Sequence, residues 1–276
     1  MTGLYSETSG QGPPLALLHG WGMNLRVFDA LRAQLARHYS VTALDLPGHG
    51  RSPWNTGLTS AQQLDQLAAH LPRDALLVGW SMGGQLALQL AAGAVLPVRQ
   101  LALIACTPRF VRSQDWPHGL PPAVLQLFAR QLAGNLRGTL ADFLALQVRG
   151  SARADIVLAT LQQALLEHGE PHAEALAAGL TLLQDNDLRE LSRSLCVPTL
   201  VIAGQYDRVA PCAAAQALVQ MLPRAELLAL PRAGHAPFLS HCQEVLAALL
   251  GLQHEARETG ARRRSPARQA AGPTAP

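Results

Sequence analysis

Three residues are best suited to chemistry: Ser81, Asp207 and His235. Ser81 stands in Gly79-Trp80-Ser81-Met82-Gly83, directly after the apolar run 75–78 and before a segment of helical period. A serine on a sharp strand-to-helix turn takes strained backbone angles, and the residues two before and two after it must be small to avoid collision. Such a turn lifts the hydroxyl clear of the sheet and aims it at the start of the following helix. A hydroxyl is a weak nucleophile until a base takes its proton, so a histidine must be found. Of the ten histidines, His235 lies in Ala233-Gly234-His235-Ala236-Pro237-Phe238, just after the last strand-like run. A loop there puts an imidazole above the C-terminal edge of the sheet. His241 falls in a helical run and His254 at the start of the tail, so neither has that placement. The acid that fixes the tautomer of the base belongs after a strand between serine and histidine. Asp207, in Gly204-Gln205-Tyr206-Asp207, follows the run 199–203. Asp187 precedes that run and Glu226 opens the next, which leaves both competitors worse placed.

A second signal is His19-Gly20-Trp21-Gly22, at the end of the first apolar run. A loop of this type after an early strand donates one backbone N–H to an oxyanion, and the residue after the nucleophile donates the other. That predicts a hole made by the amides of Trp21 and Met82, each donor worth ~3–4 kcal/mol in the transition state. His19 itself reads as a hydrogen-bonded structural residue. The segment from Asp45 to Ser52 lacks the Gly-Lys-[Ser/Thr] ending of a phosphate loop and reads as a tight structural loop.

These residues need a scaffold. Short apolar runs at 15–18, 41–44, 75–78, 101–105, 199–203 and 226–230 have the character of buried parallel strands. Helical-period segments at 25–38, 58–70 and 84–92 alternate with them, which implies an α/β fold with a mostly parallel sheet covered on both faces. The alternation stops at about residue 107. Pro117, Pro121 and Pro122 break the chain, and four helical patterns follow at 123–132, 136–148, 154–167 and 173–183. The expected organisation is a core of 1–106 and 188–253, a helical cap of 107–187, and a basic tail of 254–276 too poor in apolar period to order.

Composition narrows the function. Apolar residues make up 49% and charged residues 15%, the balance of a compact globular chain. All 22 basic residues are arginine, and the net charge is +3. From residue 254 onward, five Arg face Glu255 and Glu258, which accounts for all of it; the body holds 17 Arg and 17 acids. A neutral body argues against nucleic acid as a partner. Cys106, Cys196, Cys212 and Cys242 show neither Cys-x-x-Cys nor metal spacing, so free thiols and no metal or other cofactor are expected. No apolar stretch reaches the ~20 residues that span a bilayer, and no signal peptide is read at the N-terminus. A cytoplasmic monomer is the expectation.

Together the motifs resemble the α/β-hydrolase superfamily, and within it the pimeloyl-[acyl-carrier protein] methyl ester esterases of biotin biosynthesis. The likeness covers about residues 1–250. It rests on Leu17-Leu18-His19-Gly20-Trp21-Gly22-Met23-Asn24, on the segment from Leu44 to Ser52, on Val78 to Gly84, on Asp115-Trp116-Pro117, on Phe143-Leu144-Ala145-Leu146-Gln147, on Tyr206-Asp207 and on the His235-Ala236-Pro237-Phe238 loop. The resemblance implies a substrate site lined by Trp21, Ser81, Met82, Phe143, Leu144, Ala145, Leu146, Gln147 and His235. It also implies that cap arginines, with Arg137, Arg149 and Arg153 as candidates, meet an acidic acyl-carrier protein; Asp142 falls where the family pattern favours Arg. The implied reaction is hydrolysis of the pimeloyl methyl ester by acyl transfer through Ser81 to water. A carboxylesterase acting on free small esters is the alternative, and a non-catalytic hydrolase-fold binder the more distant one. Haloalkane dehalogenase or epoxide hydrolase chemistry needs Asp where Ser81 stands.

Overall fold

The computed structural model describes residues 3–252. Its centre is a seven-stranded sheet. In chain order the strands are β1 (Ser6–Ser9), β2 (Pro14–Leu18), β3 (Ser40–Leu44), β4 (Ala75–Trp80), β5 (Val98–Ile104), β6 (Thr199–Gly204) and β7 (Ala225–Leu230). In space they run β1-β3-β2-β4-β5-β6-β7, with only β1 antiparallel to its neighbour. The six apolar runs of the sequence are β2 to β7. β1 was not expected: its Ser-Glu-Thr-Ser sequence has no apolar signal, because an edge strand half in water is held by its ladder to β3 rather than by burial.

β4 and β6 are buried along their whole length. Successive side chains point to opposite faces, so each run feeds two cores at once. Ala16, Leu18, Leu77, Leu101, Leu103 and Val201 enter one core; Leu15, Leu17, Leu76, Val78, Ile104 and Ile202 enter the other. The first face is covered by α2 (Ser60–Ala69), α3 (Met82–Ala92) and later by α8 (Arg189–Ser194) and α9 (Cys212–Met221). The second is covered by α1 (Asp29–Leu35), by α10 (Pro237–Ser240) and by the helical residues 242–252. The segment expected as one helix over 25–38 is a 3-10 turn (Leu25–Phe28) followed by the shorter α1, with Asn24 capping the turn through the Arg26 N–H. His241 lies at the bend between α10 and the last helix, not within a helical run.

Between β5 and β6 the chain forms α4 (Pro122–Gly134), α5 (Leu136–Val148), α6 (Ala154–Glu167) and α7 (Ala173–Asp185). Proline opens α4, where its missing N–H costs nothing. These helices are tied to the core by backbone groups: Ala152 N–H donates to the Arg232 carbonyl (2.7 Å), His172 N–H to Gly48 (2.8 Å), and the Asn24 amide to Ala164 (2.7 Å). Where the segment leaves and rejoins the core, Arg109 and Arg189 both pair with Asp187, and Arg189 also reaches Asp115. The expected tail, 254–276, lies outside the described residues. Among the described residues, no helix is long and apolar enough to cross a membrane.

The strands are parallel and end level, Leu18 beside Gly79, Trp80 beside Ile104 and Gly204 beside Leu230, so the loops that follow them share one rim. The loop after β3 is shaped by Asp45. Its buried carboxylate accepts the Leu25 N–H at 2.7 Å and the Arg51 N–H at 2.9 Å. Asp45→Ala strands both donors in the interior, and we expect urea denaturation to show a loss of about 3 kcal/mol.

Candidate active site

The site is built at the C-terminal rim of the sheet, where open α/β sheets bind ligands. Ser81 is the first residue past β4, with φ 56° and ψ −118°. Its N–H donates to Ile104 (2.9 Å), and its carbonyl starts α3 by accepting from Gly84 and Gln85. The turn brings backbone against backbone. A Cβ on Gly79 would lie 2.6 Å from the Gly84 Cα, and one on Gly83 would lie 2.7 Å from the Leu18 carbonyl carbon. The small residues at these positions are therefore required by close approach.

The structure brings Ser81, His235 and Asp207 into one hydrogen-bonded line. Asp207 Oδ2 lies 2.8 Å from His235 Nδ1, and His235 Nε2 lies 2.8 Å from Ser81 Oγ. A carboxylate only accepts, so the proton sits on Nδ1 and Nε2 is left to accept from the serine hydroxyl. Each partner is itself held. The other Asp207 oxygen accepts the N–H groups of Val209 (2.8 Å) and Ala210 (2.9 Å). His235 N–H donates to the Gln147 carbonyl on α5 (2.9 Å), and the His235 carbonyl accepts the Trp80 indole N–H (2.7 Å). All three side chains are buried. Asp187 pairs with Arg109 and Arg189 instead, and Glu226 is exposed on β7.

Of the two residues expected to supply the oxyanion amides, Trp21 lines the same small chamber as Ser81, and Met82 directly follows Ser81. Met82 opens α3, so its N–H is one of the four a helix leaves unpaired at its start. The loop that carries Trp21 is fastened from beneath by two buried imidazoles. His19 Nδ1 donates to the Gly20 carbonyl (2.8 Å) and its Nε2 accepts the Leu46 N–H (2.9 Å). His49 Nε2 accepts the Gly22 N–H (3.3 Å) while its Nδ1 donates to Pro47 (3.0 Å). Burial pushes His19 down to about 4 and His49 down to about 3.

Above Ser81 lies a chamber of only about 20 Å³, walled by aromatic and aliphatic side chains that include Phe110, Phe128, Phe143, Leu146 and Leu180. Phe143 meets Trp21 edge-on at 5.1 Å and Phe128 at 5.8 Å. The five residues from Phe143 to Gln147 are not a continuous lining. Helical periodicity turns Phe143 and Leu146 to the chamber, leaves Ala145 exposed, and sends Leu144 into the core on the α6 side. Gln147 is buried, and neither end of its side-chain amide has a partner among the described residues. A larger cavity of about 550 Å³ lies behind α7; Met82 and Gly179 belong to its wall, and Ser81 does not. The supports from Trp80, His49, the Gln147 carbonyl and α7 were not read from the sequence. Backbone carbonyls leave no mark in a sequence, and Trp80 occupies the variable position of its motif.

The chain belongs to the alpha/beta hydrolase family, whose pattern matches residues 15–249. It is 47% identical over 248 residues, 89% of its length and 95% of the relative's, to the pimeloyl-[acyl-carrier protein] methyl ester esterase of Stenotrophomonas maltophilia. It is 45% identical to the protein of the same name from Xanthomonas axonopodis pv. citri, covering 89% of this chain and 97% of that one. Among solved structures, an esterase from Exiguobacterium antarcticum shares the fold with TM-score 0.81 at 22% identity, covering 90% and 94% of the two chains. An enol-lactonase from Burkholderia xenovorans does so with TM-score 0.77 at 24% identity, covering 91% and 96%.

The two imidazoles make stability pH-dependent. In the unfolded chain each takes a proton near the ordinary value of 6.5, whereas the folded chain keeps His19 neutral to about 4. Unfolding therefore binds protons as pH falls below 6.5, and stability drops by up to about 1.4 kcal/mol per pH unit for each histidine. Urea midpoints measured from pH 7.5 to pH 4.5 are expected to fall across this window, with a smaller fall in His49→Gln.

Proposed function

We propose that this chain hydrolyses the methyl ester of pimeloyl-[acyl-carrier protein], releasing methanol and the free acid in biotin biosynthesis. The observation that carries the reading is the Ser81–His235–Asp207 line opening into a wholly apolar chamber, in a chain close to half identical to esterases of that name over nearly their full length. His235 Nε2 takes the proton of Ser81 as Oγ attacks the ester carbonyl. The amides of Trp21 and Met82 hold the oxyanion. The imidazolium, stabilised by Asp207, returns the proton to the departing methoxide, and methanol leaves. Water then repeats the sequence on the acyl-enzyme, with His235 again the base, and the carboxylic acid is released.

The methylene chain of a pimeloyl group suits walls of Phe, Leu and Val, at ~0.8 kcal/mol per buried CH₂. At about 20 Å³ the chamber exceeds the ~10–15 Å³ that a single water needs and falls far short of an acyl chain. A chain therefore enters only as cap side chains such as Phe128 and Phe143 swing aside. For the acidic carrier, Arg149 and Arg153 stand exposed at the junction of α5 and α6 without an ion partner among the described residues, whereas Arg137 is paired with Glu170. This reading takes the chain to be a cytoplasmic monomer.

Purified protein would be assayed on pimeloyl-carrier methyl ester and on a free short-chain ester, at low and moderate salt. We expect preference for the carrier-bound ester that weakens with salt, a higher KM for it in Arg149→Glu/Arg153→Glu, and a loss of about 10⁴-fold or more in kcat for Ser81→Ala. Equal or better turnover of the free ester would make the chain a general carboxylesterase.

A further inference from the structure

Trp21 and Met82, the two residues read as oxyanion donors, both meet one turn of α7 through their side chains. The Trp21 indole N–H donates to the Leu176 carbonyl of α7 at 2.9 Å. One turn on, Gly179 presents bare backbone to the same ring and to Met82. A Cβ there would lie 2.7 Å from Trp21 Cδ1 and 3.1 Å from Met82 Sδ. Trp21, Met82, Leu176 and Gly179 are all buried. Phe143 of α5 closes the opposite side of the Trp21 ring edge-on. The loop from His19 to Gly22 is thus fixed at its base by His19 and His49 and at its tip by α7.

We infer that Gly179 and the Leu176 carbonyl are positioning groups for the oxyanion hole, setting where the Trp21 and Met82 amides stand. This rests on the reading of Ser81 as nucleophile and of those amides as its hole. Glycine within a helix costs about 1 kcal/mol against alanine, yet it stands in the second turn of α7 where nothing but a missing side chain lets Trp21 seat. The cost is intelligible if the space is used. The hole acts on the tetrahedral state and not on the bound ester, so a displaced amide lowers kcat and leaves KM alone.

The test is Gly179→Ala in the full chain, with Trp21→Phe beside it, which keeps a ring but loses the N–H to Leu176. Turnover of a p-nitrophenyl ester and inhibition by a trifluoromethyl ketone, which forms the tetrahedral adduct on serine, would be measured for each. Expected is a fall in kcat of about tenfold or more, KM within about twofold, and a ketone Ki raised by a factor similar to the kcat loss. Ala177→Gly, an exposed site on the same helix that weakens α7 without touching Trp21, should leave all three unchanged. A change in KM alone, unchanged ketone affinity, or an equal loss in Ala177→Gly would overturn the inference. Should Gly179→Ala fail to fold, Trp21→Phe decides on the same criteria. Failure of the underlying reading looks different: the native protein would not bind the ketone, or Ser81→Ala would keep its activity.

Discussion

The rest of the site depends on the turn at Ser81, where a residue with a side chain is held at φ 56° between the central strand and its helix. That conformation costs of the order of 1–3 kcal/mol and survives only where the surroundings overdetermine it. They do so here by close backbone contact on both sides, with β2 and with the first turn of α3. The same turn delivers two things at once. It presents the hydroxyl to His235, and it leaves the Met82 amide unpaired at the head of α3. A relaxed turn would supply neither.

Around that turn the supports come from distant parts of the chain. His235 is fixed through its main chain by Trp80 and by the α5 carbonyl of Gln147, 88 residues earlier in the chain, while its ring is left to Asp207 and Ser81. The loop that carries Trp21 is fixed by two neutral histidines below and by α7 above. The helices between β5 and β6 therefore help to hold the candidate site as well as cover it. An apolar chamber closed by Phe128, Phe143 and Leu180 then has a further role. It surrounds the Ser–His–Asp line with apolar side chains, which lower the local dielectric and so strengthen its hydrogen bonds.

Much of this was legible in the residues. The six apolar runs became six strands, most plainly β4 and β6, where burial on both faces leaves no room for polar residues. The four helical patterns after the proline-rich stretch became α4 to α7 within a residue or two. What stayed hidden had physical reasons. β1 is a polar edge strand whose stability comes from its ladder and from the pairing of Glu7 with Arg26 and Arg32. The run from Phe143 to Gln147 looks continuous in sequence, but a helix divides it among chamber, core and solvent.

By itself the sequence determined the fold class and singled out the serine, acid and histidine that the structure brings into one line. Those follow from local patterns: two-faced apolar runs, small residues around a strained turn, and loops at strand ends. Only the tertiary structure decided which groups hold them. The Leu176 and Gln147 carbonyls, the space at Gly179, and the neutral state of His19 and His49 all depend on what lies across the fold. Every residue carries a carbonyl, and a histidine titrates according to its burial, so neither property is written in the residue type.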